Sequence, residues 1–159
     1  MVFIMKKKYV RVIGLIILLL FIIIQFFRID RTIPASDPAM DFIVSTNPPR
    51  RITAIIKSSC YDCHSYKTNY PWYSHVAPVS WLINSHINEA REHLNFSEYG
   101  KLSREDENHT LIEIKEVIEN DVMPLKSYTL LHKAARLNVE KKKALIKWLT
   151  TGKNNIQSQ

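Results

Sequence analysis

Hydrophobic positions form one unbroken run near the N-terminus and, further on, short sets spaced three and four residues apart. The run is residues 12–24, VIGLIILLLFIII, without a charged or strongly polar side chain. Gln25 interrupts it, and Phe26 and Phe27 extend it. As a helix, residues 12–27 would be roughly 24 Å long, against a hydrocarbon core of about 30 Å. Extension to residues 10–29 gives 20 residues, with Arg11 and Arg28 near the ends, where arginines can snorkel to the interface. The pattern predicts a transmembrane anchor over residues 10–29. Lys6, Lys7, Lys8 and Arg11 precede the run and only Arg28 and Arg31 follow it. Residues 1–9 are therefore expected in the cytoplasm and the rest exported. A cleaved signal peptide needs small residues just after the run; Gln-Phe-Phe-Arg-Ile-Asp-Arg stands there instead, so we read a retained anchor.

Beyond the run, Pro34, Pro38, Pro48 and Pro49 sit among Asp, Ser and Thr. This predicts a linker over residues 30–47, a folded domain over residues 48–150 and a tail over residues 151–159. Within the domain the apolar spacing is helical. Ile52, Ile55 and Ile56 follow the Pro pair. Pro78 suits the first turn of a helix carrying Leu82, Ile83, Ile87 and Leu94. Ser103 with Asp106 reads as an N-cap before Leu111, Ile114 and Ile118. Asn138 can cap a last helix with Leu145, Trp148 and Leu149 inward and Gly152 just past its end. No sustained alternation argues for strands. The expected fold class is all-α, with long connections near residues 65–77 and 121–130.

Composition narrows the function classes. Apolar residues make up 46% of 159 positions, so a packed core is affordable and wholesale disorder is excluded. The net charge of +7 is concentrated at the N-terminus. Residues 1–31 carry +5, residues 32–47 carry −2, and residues 48–159 carry +4. A nucleic-acid domain would hold its charge on the folded part, so no nucleic-acid partner is expected. Neither of the usual phosphate-cradling glycine loops occurs.

The chemistry lies in Cys60-Tyr61-Asp62-Cys63-His64, which holds both cysteines of the chain. C-x-x-C-H is the pattern of c-type haem attachment. Two cysteines three apart fall on one side of a helical turn and can form thioethers with the two vinyl groups of one haem edge. The adjacent His64 then lies under the ring as proximal iron ligand. Zinc would need two more ligands at matched spacing; only scattered His75, His86, His93, His109 and His132 remain. A thiol–disulfide oxidoreductase would set C-x-x-C in a βαβ pattern. A plain disulfide suits an exported domain but leaves His64 unexplained.

A second axial ligand is sought among Met and His. Met1 and Met5 precede the apolar run and Met40 lies in the expected linker, which leaves Met123 in the domain. Met123 is followed by Pro124, which disfavours helix at Met123 and suits an extended strap. His86 and His93, seven apart on one expected helix, are the alternatives. Tyr70, Trp72, Tyr73 and Trp81 are candidates for packing on the haem edge, where low polarity tunes the potential.

Cys-Tyr-Asp-Cys-His-Ser, Tyr-Pro-Trp-Tyr-Ser, Ser80-Trp81-Leu82, Arg91-Glu92-His93-Leu94-Asn95-Phe96-Ser97-Glu98, Met123-Pro124 and Leu130-Leu131-His132 together resemble the bacterial haem-binding domain family of exported, c-type cytochrome-like proteins. The resemblance covers about residues 45–150. More distantly, the order C-x-x-C-H, Met-Pro, terminal amphipathic helix is similar to class I cytochromes c. Tyr66, Ala90 and Leu125 depart from the family's pattern, which bears on local loop contacts and not on haem attachment. The resemblance implies one haem c attached covalently at Cys60 and Cys63, with His64 proximal and Met123 distal. The expected protein is a single-pass inner-membrane protein with its haem domain in the periplasm, transferring single electrons to redox partner proteins. The alternatives are a haem-based sensor or haem-binding module with an open or labile sixth ligand, and a small peroxidase-like enzyme; a carrier is favoured over a catalyst.

Overall fold

The structure, a computed structural model, describes residues 2–157. Those residues form helices and turns and no strand, as the spacing predicts. They divide into two compact units: the chain up to Thr32 with Tyr70–His86, and Ile33–Asn69 with the chain from Ile87 onward.

The first unit contains helix α1 (Val2–Ile24), whose residues 12–24 are apolar all round and mostly exposed. The helix does not continue over residues 25–29. Gln25 closes it, donating from Nε2 to the Phe21 carbonyl (3.0 Å). The same carboxamide pairs with the backbone of Ala77, donating to its carbonyl (3.1 Å) and accepting from its N–H (2.9 Å). Its apolar stretch, residues 12–24, is thus about 20 Å long. Lys7, Lys8 and Arg11 occupy the turns before it. Among the described residues no helix is long and apolar enough to cross a membrane. Helix α1 thus ends at Ile24, short of the span expected over residues 10–29, cut off by a glutamine with a fixed partner.

The second unit holds the core. Helices α2 (Phe42–Thr46) and α3 (Arg50–Ser59) come first, followed by the single turn α4 (Tyr61–His64). Helix α5 (Val79–His93) gives residues 79–86 to the first unit and residues 87–93 to the second. Helices α6 (Arg104–Glu119), α7 (Lys126–Leu131) and α8 (Val139–Gln157) complete it, with α6 packed along α8. Ile52, Ile55 and Ile56 of α3, Leu111 and Ile118 of α6, and Leu145 and Leu149 of α8 are buried together, as their spacing predicts. Ser103 accepts from the Asp106 N–H and its hydroxyl donates to the Asp106 carboxylate (2.6 Å), a reciprocal cap for α6. Asn138 caps α8 through the Lys141 N–H.

Three expectations are corrected. Leu82 of α5 is exposed, while Ile87 is buried. Gly152 does not end α8, which continues to Gln157; among the described residues no glycine adopts the left-handed conformation that such a stop requires. The connection near residues 121–130 is shorter than expected because α7 begins at Lys126.

The largest correction concerns residues 37–47, read as linker. Asp37 and Asp41 each cap a short helical element through Ala39 N–H and Ile43 N–H. Phe42 is 1% exposed. Its ring meets Phe96 and Tyr99 at 4.6 Å and Trp148 at 6.1 Å. Gly100 admits this segment: a Cβ there would stand 3.0 Å from the Met40 Cα and 2.9 Å from the Ser45 hydroxyl. Prolines and aspartates are caps here, and their density signals helix starts rather than slack chain.

Phe42→Ala should destabilise the protein by about 3–5 kcal/mol, whereas a linker side chain would change stability hardly at all; denaturant unfolding measures the difference. Burial pushes the Asp41 carboxyl up. Hydrogen bonds from Lys67, Tyr61 and the Ile43 N–H outweigh it and hold the group below its ordinary 3.8. A carboxylate depressed on folding stabilises fully above the unfolded value and loses that contribution as pH falls through the folded one. The stability gap between the native chain and Asp41→Asn should therefore be constant near neutrality and close below about pH 3.8, as followed by unfolding at a series of pH values.

Candidate functional site

The Cys60–His64 sequence folds as one helical turn. Cys60 ends α3, its N–H donating to the Ile56 carbonyl (2.9 Å). Its own carbonyl accepts from Cys63 N–H (3.2 Å) and His64 N–H (3.0 Å). Three ligand-type side chains thus come from a single turn, as the spacing predicts.

The two intervening residues fasten the turn on two sides. Tyr61 points into the core, stacked on Phe96 at 5.3 Å, and its hydroxyl donates to the Asp41 carboxylate (2.7 Å). Asp41 also pairs with Lys67 at 2.7 Å. Asp62 accepts from the Tyr128 hydroxyl (2.5 Å) and the Asn69 N–H (3.1 Å). Tyr128 lies on α7, five residues after Met123, and stacks on His132 at 4.1 Å. Ser65, fully buried, closes the turn by donating to the Tyr61 carbonyl (2.7 Å). Arg91 of α5 then donates to the Ser65 carbonyl and the Thr68 hydroxyl.

His64 is the most informative side chain. Its Nδ1 lies 3.0 Å from the Leu94 carbonyl. A carbonyl only accepts, so Nδ1 carries the proton and Nε2 keeps its lone pair. The Phe96 N–H donates to the His64 carbonyl (2.6 Å) and the Phe96 ring lies 5.8 Å from the imidazole. Burial holds the imidazole below its ordinary 6.5, against the backbone hydrogen bonds to Leu94 and Ala90 that favour charge; a charge on His93 acts in the same sense as burial.

Cys60 and Cys63 are free and half-buried. Burial, and then the neighbouring Cys63, push the Cys60 thiol up to about 12. Burial and the Asp62 charge push Cys63 up to about 11, against Arg91. Redox-active C-x-x-C cysteines need the opposite, a thiolate stabilised near neutral pH. No group of three or more His, Cys, Asp or Glu among the described residues is arranged to hold a metal ion, which counts against the zinc alternative. The donor set instead suits haem iron: a neutral imidazole with one nitrogen fixed and the other available, beside two thiols on one turn.

Met123 is half-buried between α6 and α7, with its N–H donating to the Val117 carbonyl (3.1 Å) and a cis bond to Pro124. The Tyr128–Asp62 bond ties the following helix to the turn. His93 is exposed and belongs to the second unit; His86 is half-buried and belongs to the first. Tyr70, Trp72, Tyr73 and Trp81 all belong to the first unit. There Trp81 Nε1 donates to the Phe27 carbonyl (2.8 Å), and Trp72 meets Tyr73 at 5.8 Å and is 79% exposed. Sequence reasoning missed Asp41, Tyr61, Asp62, Arg91, Phe96 and Tyr128. Of these, Tyr61 and Asp62 stood inside the motif; the rest act across long stretches of chain.

No curated protein and no solved structure matches the chain. A family model, described as a haem-binding domain, matches residues 19–151. It takes in the folded segment before residue 48, the Cys60–His64 turn with both of its fastenings, and the helices up to most of α8. The site and the match agree on one ligand, and the chain belongs to the haem-binding domain family.

Proposed function

We propose that the haem is held covalently by thioethers at Cys60 and Cys63, with His64 Nε2 as proximal iron ligand, and that the domain is a cytochrome c-like carrier of single electrons. The observation that carries this reading is the Leu94 carbonyl on His64 Nδ1. It sets the tautomer and the ring orientation, and it raises the basicity of the nitrogen left for iron. The chemistry that bound haem supplies is a one-electron change at its iron. The chain's part is to hold the ligands still and keep water and charge away. Tyr61 and Asp62 do the first. The buried setting that lifts both thiols and lowers the imidazole does the second.

Met123 is our distal ligand, with His93 or His86 as alternatives. The Tyr128–Asp62 bond supports Met123, because it fastens the helix just beyond Met123 to the attachment turn. A carrier needs no titrating side chain beside its iron, and burial favours the neutral form of His64, which favours electron transfer over peroxidase-like catalysis. The same reading places the haem domain in the periplasm of a bacterium, held at the inner membrane by α1 and serving redox partner proteins. The apolar residues 12–23 of α1, exposed on every side, support insertion of that helix in lipid.

Expressed with cytochrome c maturation, the protein should keep its haem through denaturation and acid-solvent extraction. The Cys60→Ala, Cys63→Ala double variant should lose it under the same treatment. Haem that extracts freely from the native chain would overturn covalent attachment. Met123→Ala should retain the haem but lower the reduction potential, since a thioether ligand raises it; an unchanged potential, with His93→Ala shifting it instead, would move the distal ligand to α5. Tyr128→Phe, which removes one hydrogen bond of about 1 kcal/mol, should leave attachment intact and shift the potential in the direction of Met123→Ala.

A further inference from the structure

The first unit leaves a set of large apolar side chains uncovered just past the end of α1. Trp72 is 79% exposed, Leu82 58%, Val79 43% and Trp81 40%; at the end of α1, Phe26 is 81% exposed and Phe27 66%. Scattered exposed apolar residues are ordinary, but several large ones with two tryptophans among them mark a surface that meets something. These residues are not loose chain. The Ala77 backbone is paired with the Gln25 carboxamide in both directions. Trp81 donates to the Phe27 carbonyl. Arg31 donates to the Ser74 carbonyl (2.6 Å) and to the His75 ring, with its guanidinium 5.5 Å above the Tyr70 ring. Three separate links thus bind residues 70–82 to the stretch that follows the apolar helix.

We infer that residues 70–82 form an interfacial platform, seated with Phe26 and Phe27 in the headgroup boundary of the bilayer that receives α1. Lipid is the occupant that the chemistry favours. The exposed apolar surface of α1 runs directly into Phe26 and Phe27, and Trp81 is bonded to the latter. Indole rings, apolar with one polar edge, concentrate at the membrane–water interface. Exposed Arg28 lies in the same few residues and suits the lipid phosphates. The platform also offsets the shortness of α1, by adding apolar surface at the depth where the helix stops. This inference rests on the proposed insertion of α1.

The test uses the full chain with haem attached, in vesicles of phosphatidylcholine with phosphatidylglycerol. Single cysteines are introduced as Leu82→Cys and, separately, Val79→Cys on the platform, Phe21→Cys within α1, and Lys126→Cys on α7. Each protein meets a maleimide on a lipid headgroup or a water-borne, impermeant maleimide. The lipid-borne reagent should label Leu82→Cys and Val79→Cys at least about tenfold faster than Lys126→Cys, because both partners share one surface. Phe21→Cys should resist both reagents. Platform cysteines that react only with the water-borne reagent, while Phe21→Cys stays protected, would overturn the platform and leave the anchor standing. Phe21→Cys open to water would overturn the anchor itself. Platform cysteines that resist both reagents would mean that protein or haem covers them, and the inference would fail.

Discussion

One buried carboxylate organises the second unit. Asp41 accepts from the Ile43 N–H, the Tyr61 hydroxyl and the Lys67 ammonium. Those three donors come from before the Cys60–His64 turn, from inside it and from just after it. A carboxylate that is 4% exposed is tolerable only when its oxygens are satisfied by such donors. The requirement runs both ways. Asp41 needs Tyr61 and Lys67 to stay charged in the core, and the turn needs Asp41 to hold Tyr61 inward against Phe96. Without that pairing nothing polar would hold Tyr61 inward, and the turn would be fastened only through Asp62 and His64.

The helices were legible because their signals are local. Ile52, Ile55 and Ile56 share a face by spacing alone, and Ser103 with Asp106 announces a helix start three residues apart. The C-x-x-C-H turn was legible for the same reason. What was not legible depends on chain distance. Leu94 reaches His64 across 30 residues, and Tyr128 reaches Asp62 across 66. Periodicity contains nothing about such meetings. The misreading of residues 37–47 had another origin. Asp and Pro are breakers in the middle of a helix and favourable at its start. Phe42, a single large apolar residue between them, was the sign that the segment enters a core.

The aromatic residues after the motif show how one composition supports two surfaces. Tyr70, Trp72, Tyr73 and Trp81 follow Cys63 closely, and proximity in sequence suggested packing on the cofactor. In the structure they belong to the unit built on α1, where Gln25, Arg31 and the Phe27 carbonyl tie their segment to the end of that helix. Gln25 carries the explanation. A glutamine after thirteen apolar residues reads as a flaw in a membrane helix, yet both ends of its carboxamide are used to grip Ala77. Polar groups at the end of an apolar helix mark where the helix stops and its partner segment begins.

At Cys60, Cys63 and His64 the largest cause acting on the ionisable group is the same. Desolvation raises both thiols and lowers the imidazole, so the neutral form is favoured at each. Such a setting is poor for nucleophilic thiol chemistry, which needs thiolate, and poor for acid–base catalysis, which needs a group titrating near working pH. It is well suited to a neutral nitrogen donor whose lone pair is aimed by a carbonyl on the opposite ring atom. A cofactor that changes charge by one unit in this setting has its potential set by the few fixed charges nearby, Asp62 with its two donors and Arg91 with its two acceptors. Asp62 is held by Tyr128 and Asn69, and Arg91 is bonded to Ser65 and Thr68 just after the turn. The charges beside the turn therefore cannot relax independently of the backbone that carries its ligand-type side chains.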